Sequence, residues 1–534
     1  MTHQEGNGQV QGAPRGGSAH VARSALLVAL FFGFDKLLAL VRDMLISRTF
    51  GASAELDAYY AAFELPDGLF TVVAGSALVT SFIPILSAQI AKRDREEVGR
   101  LVSAVLNLVL LVVAGVSVLA ALFAPQIIAV VAPGFDAYRT TLATQLMRLV
   151  LLQTLVSSAS GIAMSVLQAH QHFLLPAVAP LSYTLGRIAG VLFLAPTLGI
   201  FGLAVGGLLG TVGHFLIQVP GLLHYRIRWI PILRHPDLRR VLVLMGPRML
   251  GLGATYLNFV LPTFLGSRLA PGAIAAYEYG WRLMQFPETI IGTALGLTIF
   301  PLLAERANAG DLAGLRRAAG WALRLVLSLA IPAAAGILLL GRPVTALLLE
   351  GRAFDAAATA RVVYALHFLS LALVGHAALE VVSRAFFARR DMWTPFYAAV
   401  IGLLINAGLG WALLGTLEQG AIALANGVGV SAQVLILLGV ARARWGGMDE
   451  RALLLSLGRT LGATLVMTAA IWGVRALFPS GRGIIEMLTA LVVGTGAYLL
   501  AAFLLKNDTL LELPRLLFGR SAGGEPPAGL RERL

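Results

Sequence analysis

The residues Ser81 to Leu111, SFIPILSAQIAKRDREEVGRLVSAVLNLVLL, contain the pattern that decides the fold. An apolar segment carrying a proline is followed by a short charged loop, and a second long apolar segment then begins. A related stretch, TIFPLLAERANAGDLAGLRRAAGWALRLVLS, occupies Thr298 to Ser328 and places Pro301 where the first stretch has Pro84. The shared order of features suggests an internal duplication.

A second pair of related stretches follows in the same order. The segment VLQAHQHFLLPAVAP from Val166 to Pro180 parallels VVSRAFFARRDMWTPFYAAV from Val381 to Val400, again with similarly placed prolines. The alternative is chance similarity among Leu- and Ala-rich helices, but two matches at nearly the same offset favour duplication. Because the repeat contains six apolar segments, an even number, the two copies should point the same way, related by a pseudo-twofold axis along the membrane normal.

The composition is that of a membrane protein. Of 534 residues, 57% are hydrophobic and 13% are charged, and the mean hydropathy is +0.80. Soluble domains carry about 25% charged residues, and a segment of about 20 apolar residues suffices to cross a bilayer as a helix. Hydropathy predicts an all-α polytopic protein with about fourteen spans. These lie near residues 24–47, 57–91, 98–122, 142–168, 174–195, 199–223, 240–266, 273–304, 316–340, 359–387, 393–415, 419–443, 452–477 and 483–505.

The spans divide the chain into predicted domains. A flexible tail (1–23) precedes an N-terminal lobe of six helices (24–225) and a C-terminal lobe of six helices (240–445). A final helix pair (452–505) and a second tail (506–534) follow.

Basic residues mark one side of the membrane. Alternate loops are rich in Lys and Arg, and the opposite loops hold about half as many, so the richer set should be cytoplasmic together with both tails. The richer loops are 92–100, 226–240, 306–317, 384–390 and 442–451. The net charge of +13 is therefore attributed to membrane orientation and not to nucleic-acid binding.

The first predicted span, ALLVALFFGFDKLLALVRDMLIS from Ala25 to Ser47, carries four charges. A charge near the bilayer centre costs on the order of 3 kcal/mol or more. Asp35 and Arg42 are seven residues apart and so share a helix face, as do Lys36 and Asp43. Snorkelling at the span end is an alternative explanation for the last two charges. Asp35 and Lys36 lie mid-span, where charges usually face a water-filled cavity.

Two further spans combine charges with helix breaks. Pro66 and Gly68 interrupt the second span, and Pro287 interrupts its counterpart, which also holds Glu278 and Arg282. Kinked helices in equivalent places of two halves point to the central site of a transporter. A cavity with Lys36, Arg42 and Arg282, and with Arg187 and Arg248 as weaker candidates, would suit a phosphate or carboxylate ligand.

No motif indicates an enzyme. The sequence contains no Walker, GxSxG, HExxH or Rossmann pattern. The absence of cysteine excludes disulfides and thiolate chemistry. His170 and His172 lack a third ligand in the sequence pattern, so no metal site is predicted.

Several motifs resemble the MurJ (MviN) family of lipid II flippases, within the multidrug/oligosaccharidyl-lipid/polysaccharide exporter superfamily. They are VRDMLISRTFGASAELDAYYAAFELPDGLF from Val41, MGPRMLG from Met245, YEYGWRLMQFPETIIGTALGLTIFPLLA from Tyr277 and FFARRDMWTP from Phe386. The resemblance covers about residues 24 to 505.

The resemblance implies two six-helix lobes and a final pair of helices, with a groove beside this pair that holds the lipid tail. It implies a flippase that moves undecaprenyl-diphosphate-linked muropeptide (lipid II) to the outer leaflet of the bacterial inner membrane for peptidoglycan synthesis and cell shape. Transport would be driven by an ion gradient or the membrane potential without a cofactor. Membrane lipids and cell-wall synthesis proteins are the expected partners.

Carried over by position, Arg42, Asp57 and Arg282 match the cavity and gate of the family, and Lys36 stands where the family has Arg. We expect Lys36, Arg42 and Arg282 to bind the head group, and Asp35, Asp57 and Glu278 to pair with them during closure. The chain departs from the family after Pro66, where Asp67, Phe70 and Thr71 replace an Asn and an Arg pair. Alternatives are an exporter of another polyprenyl-diphosphate-linked glycan, a drug or metabolite antiporter of the same superfamily, and a non-transporting envelope scaffold.

Overall fold

The computed structural model of the protein describes residues 17–477 and 483–511. In these ranges every regular element is helical. The α-helices are α1 (Gly17–Phe50), α2 (Ala54–Leu69), α3 (Ser76–Ala91), α4 (Arg95–Leu122), α5 (Ala124–Val131), α6 (Ala137–Ala169), α7 (Leu174–Ala189), α8 (Ala195–Leu198), α9 (Ile200–His224), α10 (Leu238–Gly266), α11 (Ala273–Glu288), α12 (Ala294–Asn308), α13 (Leu312–Leu349), α14 (Ala356–Ala388), α15 (Trp393–Leu417), α16 (Gln419–Trp445), α17 (Glu450–Leu477), α18 (Ile484–Leu504) and α19 (Asp508–Leu511). The outer parts of both predicted tails lie outside the described residues.

Within the described residues, 11 helical segments are long and apolar enough to cross a membrane. They coincide with eleven of the spans predicted from hydropathy, and the all-α membrane class is confirmed. The three other predicted spans fall on α1, on α2 with α3, and on α10, and parts of each lie outside the residues whose side chains the structure describes. The count of fourteen spans stays a prediction.

The helix boundaries repeat with the spacing of the sequence duplication. Helices α2 and α11 begin at Ala54 and Ala273, and α6 and α14 begin at Ala137 and Ala356, so both pairs of helix starts have the same offset. Each of α2 and α11 contains a proline and runs into a five-residue π-helical segment, Phe70–Ala74 or Thr289–Thr293. The repeat therefore extends to an irregular feature of the backbone, which supports duplication over chance similarity.

The π segments follow the residues at which a kink was predicted. Pro66 and Pro287 have no backbone N–H, so the i to i−4 ladder is interrupted four residues before the first π segment and two residues before the second. The first π segment closes with a hydrogen bond from Gly75 N to Phe70 O of 2.7 Å. π turns inside helices often occur at functional sites. That Pro66, Gly68 and Pro287 act as hinges stays a prediction.

One compact unit, here unit 1, contains the described residues of 17–45, 66–122 and 148–249. Its core includes Leu78 and Phe82 of α3 packed with Leu101 of α4. Helices α7 and α9 approach closely because glycines face each other. A Cβ on Gly206 would lie 2.5 Å from the carbonyl oxygen of Gly186, which leaves no room for a side chain. Small residues at such contacts are typical of membrane helices.

The second compact unit, unit 2, contains residues 46–65 and 123–147 and the described residues from 250 onward. Helix α14 packs between α13 and α16 through residues such as Val381 and Phe386, and the Phe386 and Trp445 rings lie 4.4 Å apart. Helices α17 and α18 pair with each other and dock on α13, where Tyr498 donates a hydrogen bond to the carbonyl of Ser328. The final helix pair is thus held by a buried polar contact as well as by apolar packing.

The unit boundaries fall inside helices. Helices α1, α2, α6 and α10 each contribute residues to both units, with breaks after Leu45, Leu65, Met147 and Met249. The predicted lobes, 24–225 and 240–445, follow the duplication and stay a prediction. Unit 2 combines the second copy with one set of helix ends from the first copy.

Candidate transport site

Asp57 joins α2 to the start of α11 inside unit 2. Its side chain is fully buried, and its two carboxylate oxygens accept hydrogen bonds from the backbone N–H groups of Gly272 (2.6 Å) and Ala275 (2.8 Å). These N–H groups belong to the first turn of α11, which has no helical partner for them. A carboxylate in this position also interacts favourably with the helix dipole. Asp57 therefore caps a helix that belongs to the second copy of the repeat.

Other contacts close the same region of unit 2. We call it the closure region: residues 47–57, 134–139, 267–275 and 349–361. Ser47 donates to the carbonyl of Leu349 at 3.1 Å, and the N–H of Gly134 donates to Ser267 Oγ at 3.1 Å. Arg361 donates to the carbonyl of Pro271 at 2.9 Å. The closure region thus links helix ends of the first copy to helix ends of the second.

The closure region also contains an exposed carboxylate, that of Asp136. Asp136 accepts a hydrogen bond from the backbone N–H of Arg139 at 2.8 Å and forms an ion pair with its guanidinium at 3.2 Å. The backbone hydrogen bond, helped by the positive charge, lowers the pKa of Asp136. The Arg139 side chain is buried, and its guanidinium stacks on the Phe135 ring at 4.7 Å. Arg139 also exerts its positive charge on Asp57.

Arg282 lies at mid-helix on α11. Its Nε is 3.9 Å from a carboxylate oxygen of Glu278, one turn earlier, and its guanidinium lies 5.2 Å from the centre of the Tyr60 ring. Glu278 thus lies beside a cation with which it was predicted to pair, and its role in closure stays a prediction.

The charges of the first span lie in unit 1. Asp35 accepts a hydrogen bond from Thr184 of α7 at 2.8 Å. Arg42 pairs with its chain neighbour Asp43 at 2.8 Å, and both side chains are 14% exposed. Lys36 is exposed. Because Lys36 and Arg42 belong to unit 1 and Arg282 to unit 2, a binding site that combines all three stays a prediction.

Arg187 of α7 belongs to a polar cluster with Tyr183 of the same helix and Gln153 of α6. Arg187 lies over the Tyr183 ring at 4.4 Å and donates to the Tyr183 hydroxyl, and Tyr183 also accepts from Gln153 at 3.2 Å. The positive charge of Arg187 acts on Asp67. The sequence marked Arg187 only as a weaker candidate, because a single arginine in an apolar helix gives no spacing pattern. The side chain of Arg248, the other weaker candidate, lies outside the described residues.

The histidines have structural partners. His170 stacks on Tyr225 with ring centres 4.2 Å apart. His214, which the sequence analysis did not mark, contacts Ser160 at 2.5 Å inside unit 1. Across the described ranges, no group of three or more His, Cys, Asp or Glu side chains is arranged to hold a metal ion.

Unit 2 also contains a partly open polar cavity of about 340 Å³ beside α11. Three glutamates line it, Glu278 and Glu288 from α11 and Glu380 from α14. Its other polar side chains are Asn258, Tyr277, Trp281, Gln285, His376, Asn406, Asn426 and Gln433. Glu288 and Glu380 were missed in the sequence because they lie far apart along the chain, and the family motif that contains Glu288 did not mark it as a site residue.

The protein has helices long enough to cross a membrane, and its two sequence copies carry matching π segments and ion pairs within these helices. These features define it as a polytopic helical transporter. Its fold is that of the multidrug/oligosaccharidyl-lipid/polysaccharide exporter superfamily. A solved structure described as the inward-facing conformation of a multidrug resistance MATE family transporter of this superfamily superposes with a TM-score of 0.67 at 16% identity, covering 78% of this chain and 96% of that chain.

The profile of the family described as lipid II flippase MurJ matches residues 46–493, and the chain belongs to this family. The lipid II flippase MurJ of Burkholderia cenocepacia is 30% identical over 427 residues, 78% of this chain and 82% of that protein. The probable lipid II flippase MurJ of a Synechocystis species is 28% identical over 506 residues, 89% of this chain and 93% of that protein.

A solved structure described as lipid II flippase MurJ in an inward closed conformation superposes with a TM-score of 0.78 at 22% identity, covering 91% of this chain and all of that chain. The resemblance read from the sequence motifs is confirmed. Membership in a family of flippases also confirms the expectation of a transporter and not an enzyme.

Proposed function

We propose that the protein moves lipid II, the lipid-linked peptidoglycan precursor, from the cytoplasmic to the outer leaflet of a bacterial inner membrane. The observation that carries this proposal is the family match over residues 46–493. A substrate with a diphosphate and a peptide carboxylate needs a path lined with cations, which the apolar spans otherwise lack. Lys36, Arg42 and Arg282 are the residues proposed to provide it.

Transport would proceed by alternating access. By the distribution of Lys and Arg in the loops, the closure region lies on the outer side of the membrane, with both termini in the cytoplasm. The contacts of Asp57 with Gly272 and Ala275 would then close the path to the outside while the head group enters from the cytoplasm. Opening to the outside would require these hydrogen bonds to break.

Head-group binding would exchange ion pairs. Arg42 is held by Asp43, and Arg282 is held near Glu278, so neither cation is left unbalanced in the apolar surroundings. A diphosphate would replace one carboxylate partner of each arginine, which can hold phosphate oxygens through two N–H groups at once. Asp35 would stay with Thr184, which positions α1 against α7.

The remaining features of the proposal follow the family. The groove beside α17 and α18 would hold the polyprenyl tail, and the membrane potential or an ion gradient would supply the energy. Cell-wall synthesis proteins would act on the product at the outer leaflet.

Complementation tests the function. A bacterium depleted of its own lipid II flippase would express the wild-type protein or the variants Arg42→Ala and Arg282→Ala at matched levels. Arg100→Ala, at an exposed arginine near the start of α4, is the control. We expect growth with the wild type and the control, and none with the two cavity variants. Full rescue by Arg282→Ala would contradict the proposed role of the cations.

A direct assay separates substrate choice from function. Lipid II in the outer leaflet of these cells can be measured by adding an enzyme that cleaves only exposed head groups. A well-expressed wild-type protein that fails to expose lipid II would favour another polyprenyl-diphosphate-linked glycan. The departure from the family at Asp67, Phe70 and Thr71 would then be the first place to look for the difference in specificity.

A further inference from the structure

The polar cavity of unit 2 contains more negative than positive charge. Glu278 lies near Arg282 at 3.9 Å, and Glu380 pairs with Arg384 one turn later on α14. Glu288 has no arginine to itself in the described structure, because the same Arg384 acts on both Glu288 and Glu380. Three carboxylates therefore face two guanidinium groups.

The position of Glu288 is set by the π segment. Its carboxylate accepts a hydrogen bond from Thr293 and lies so close over Gly292 that a Cβ there would be 2.9 Å from its Oε1. Glu288 is the last residue of α11, directly before Thr289–Thr293. A change in the charge of Glu288 would therefore act directly on the irregular backbone that follows.

Two carboxylates that share one guanidinium inside a membrane protein are unfavourable as a pair of anions. Water stabilises neither fully, and like charges in low dielectric repel each other strongly. Such pairs titrate together and commonly keep one proton between them. A bound cation is the other way in which the charge can be balanced.

A separate observation points to a hydrogen-bond donor in the cavity. Asn406 of α15 lines it and is only 3% exposed, and its amide oxygen has no hydrogen-bond partner among the described residues. Buried amide oxygens without a donor are rare and costly. The O–H of a protonated carboxyl, directly or through one water molecule, would supply the missing donor.

The chemistry of the lining favours a proton over a metal ion. The amide oxygen of Asn426 is already 2.9 Å from His376 Nε2, and one oxygen of Glu380 is occupied by Arg384. No cluster of three or more acidic or histidine side chains suited to a metal occurs in the described ranges. We propose that Glu288 and Glu380 form a proton-binding site in the second copy of the repeat, with Asn406 as the acceptor for the bound proton's O–H group.

The charged and titratable groups at this site come from two helices. Helix α11 contributes Tyr277, Glu278, Arg282 and Glu288, and α14 contributes His376, Glu380 and Arg384. Helices α10, α15 and α16 contribute the neutral amides of Asn258, Asn406, Asn426 and Gln433.

Proton binding at this site would be linked to substrate binding, an inference that rests on the proposed function. Arg282 and Glu288 lie on the same helix, less than two turns apart, and Glu278 lines the cavity with them. A head group that draws Arg282 away from Glu278 would make the cavity more negative. Proton uptake by the Glu288–Glu380 pair would then become more favourable, which supplies a route for a proton gradient to drive transport.

Infrared difference spectroscopy tests the site without any transport assay. The purified protein in lipid nanodiscs would be titrated from about pH 6 to about pH 9, a range in which exposed carboxyls, with pKa values near 4, stay ionised. We expect a carbonyl-stretch band of a protonated carboxyl that disappears as the pH rises. Histidine and arginine do not absorb there, and the ester carbonyls of the lipids do not titrate in this pH range, so a band that titrates reports carboxyl groups alone.

Two variants assign the band. In Glu288→Gln, Glu380 is the only carboxylate beside Arg384 and stays ionised. In Glu380→Gln, Glu288 is the only carboxylate beside Arg384 and also stays ionised, so each variant should remove the band. The exposed Glu305→Gln is the matched control and should retain it. If a Gln variant fails to fold, Asn406→Leu should shift the frequency of the band, because the O–H group loses its acceptor.

Three results would overturn the proposal: no titrating band in the wild type, a band unchanged in both Gln variants, or a band removed by sodium at constant pH. The last would assign the site to a sodium ion. A band that behaves as expected in a protein without flippase activity would leave the proton site standing and refute the proposed function alone.

Discussion

Replacing Asp57 tests whether one buried carboxylate keeps the closure region shut. In Asp57→Ala, the N–H groups of Gly272 and Ala275 lose a charged acceptor, at bond lengths of 2.6 and 2.8 Å in the wild type. Each hydrogen bond to a charged group contributes about 1.5–3 kcal/mol, and partial hydration of the freed amides recovers some of it. The closed arrangement should therefore lose on the order of 3 kcal/mol, which corresponds to an opening equilibrium about 100-fold larger.

The assay uses the natural absence of cysteine in the chain. A single cysteine at Ala276, which is fully buried on α11, reacts with a membrane-impermeant maleimide only when the closure region opens. The labelling rate should rise about 100-fold in Asp57→Ala. It should rise about tenfold in Asp57→Asn, because one amide oxygen can still accept one of the two hydrogen bonds.

The control is Glu305→Gln in the same single-cysteine background, whose labelling rate should match that of the parent. Equal labelling in Asp57→Ala and the parent would refute the assigned role. Labelling that is fast in the parent itself would mean that the closure region is open in the membrane.

Three further perturbations probe other parts of the fold. Gly206→Ala should lower the thermal stability of the protein, because the new methyl group would meet the backbone of Gly186 at 2.5 Å, whereas Gly115→Ala, with open space around it, should not. Lowering the pH should increase hydrogen exchange at the start of α13, because the backbone N–H of Gly314 holds the pKa of Asp311 below its usual 3.8: the capping interaction is complete above about pH 4 and is lost progressively as the pH falls through the lowered pKa. Asn507→Ala removes a buried hydrogen bond, 3.1 Å long, from the Asn507 amide to the Thr460 hydroxyl. The docking of the final helix pair should become about 1–3 kcal/mol less stable, which faster proteolysis after α18 would show.

The helical architecture could be predicted because hydropathy acts locally. A window of about 20 residues contains all the information needed to find a span. The duplication could be predicted for the same reason, since Pro84 and Pro301 have similar flanks that can be compared directly in the sequence. The π segments could not: proline shows where a hydrogen bond is missing, but the surrounding packing decides how the backbone closes the gap.

The site was predicted only in part, because its partners are distant in sequence. Asp57 was marked as a gate residue, yet its capping of α11 depends on two backbone amides far along the chain. The helix-face argument grouped Asp35 with Arg42, while the structure places Arg42 against Asp43 and Asp35 against Thr184. Spacing along one helix fixes which residues share a face, but it says nothing about which neighbouring helix that face meets.

The unit boundaries inside α1, α2, α6 and α10 have a mechanical consequence. A boundary in a loop acts as a flexible linker. When the boundary lies within a continuous helix, any shift between the units bends that helix and distorts its backbone hydrogen bonds. On α2 the boundary falls directly before Pro66, where the helix bends more easily because one backbone hydrogen bond is missing. Bending these helices would store elastic energy, which would be released when the helices straighten again. Substitutions that stiffen α2, such as Pro66→Ala, would then slow the transition between states without touching any residue that contacts the substrate.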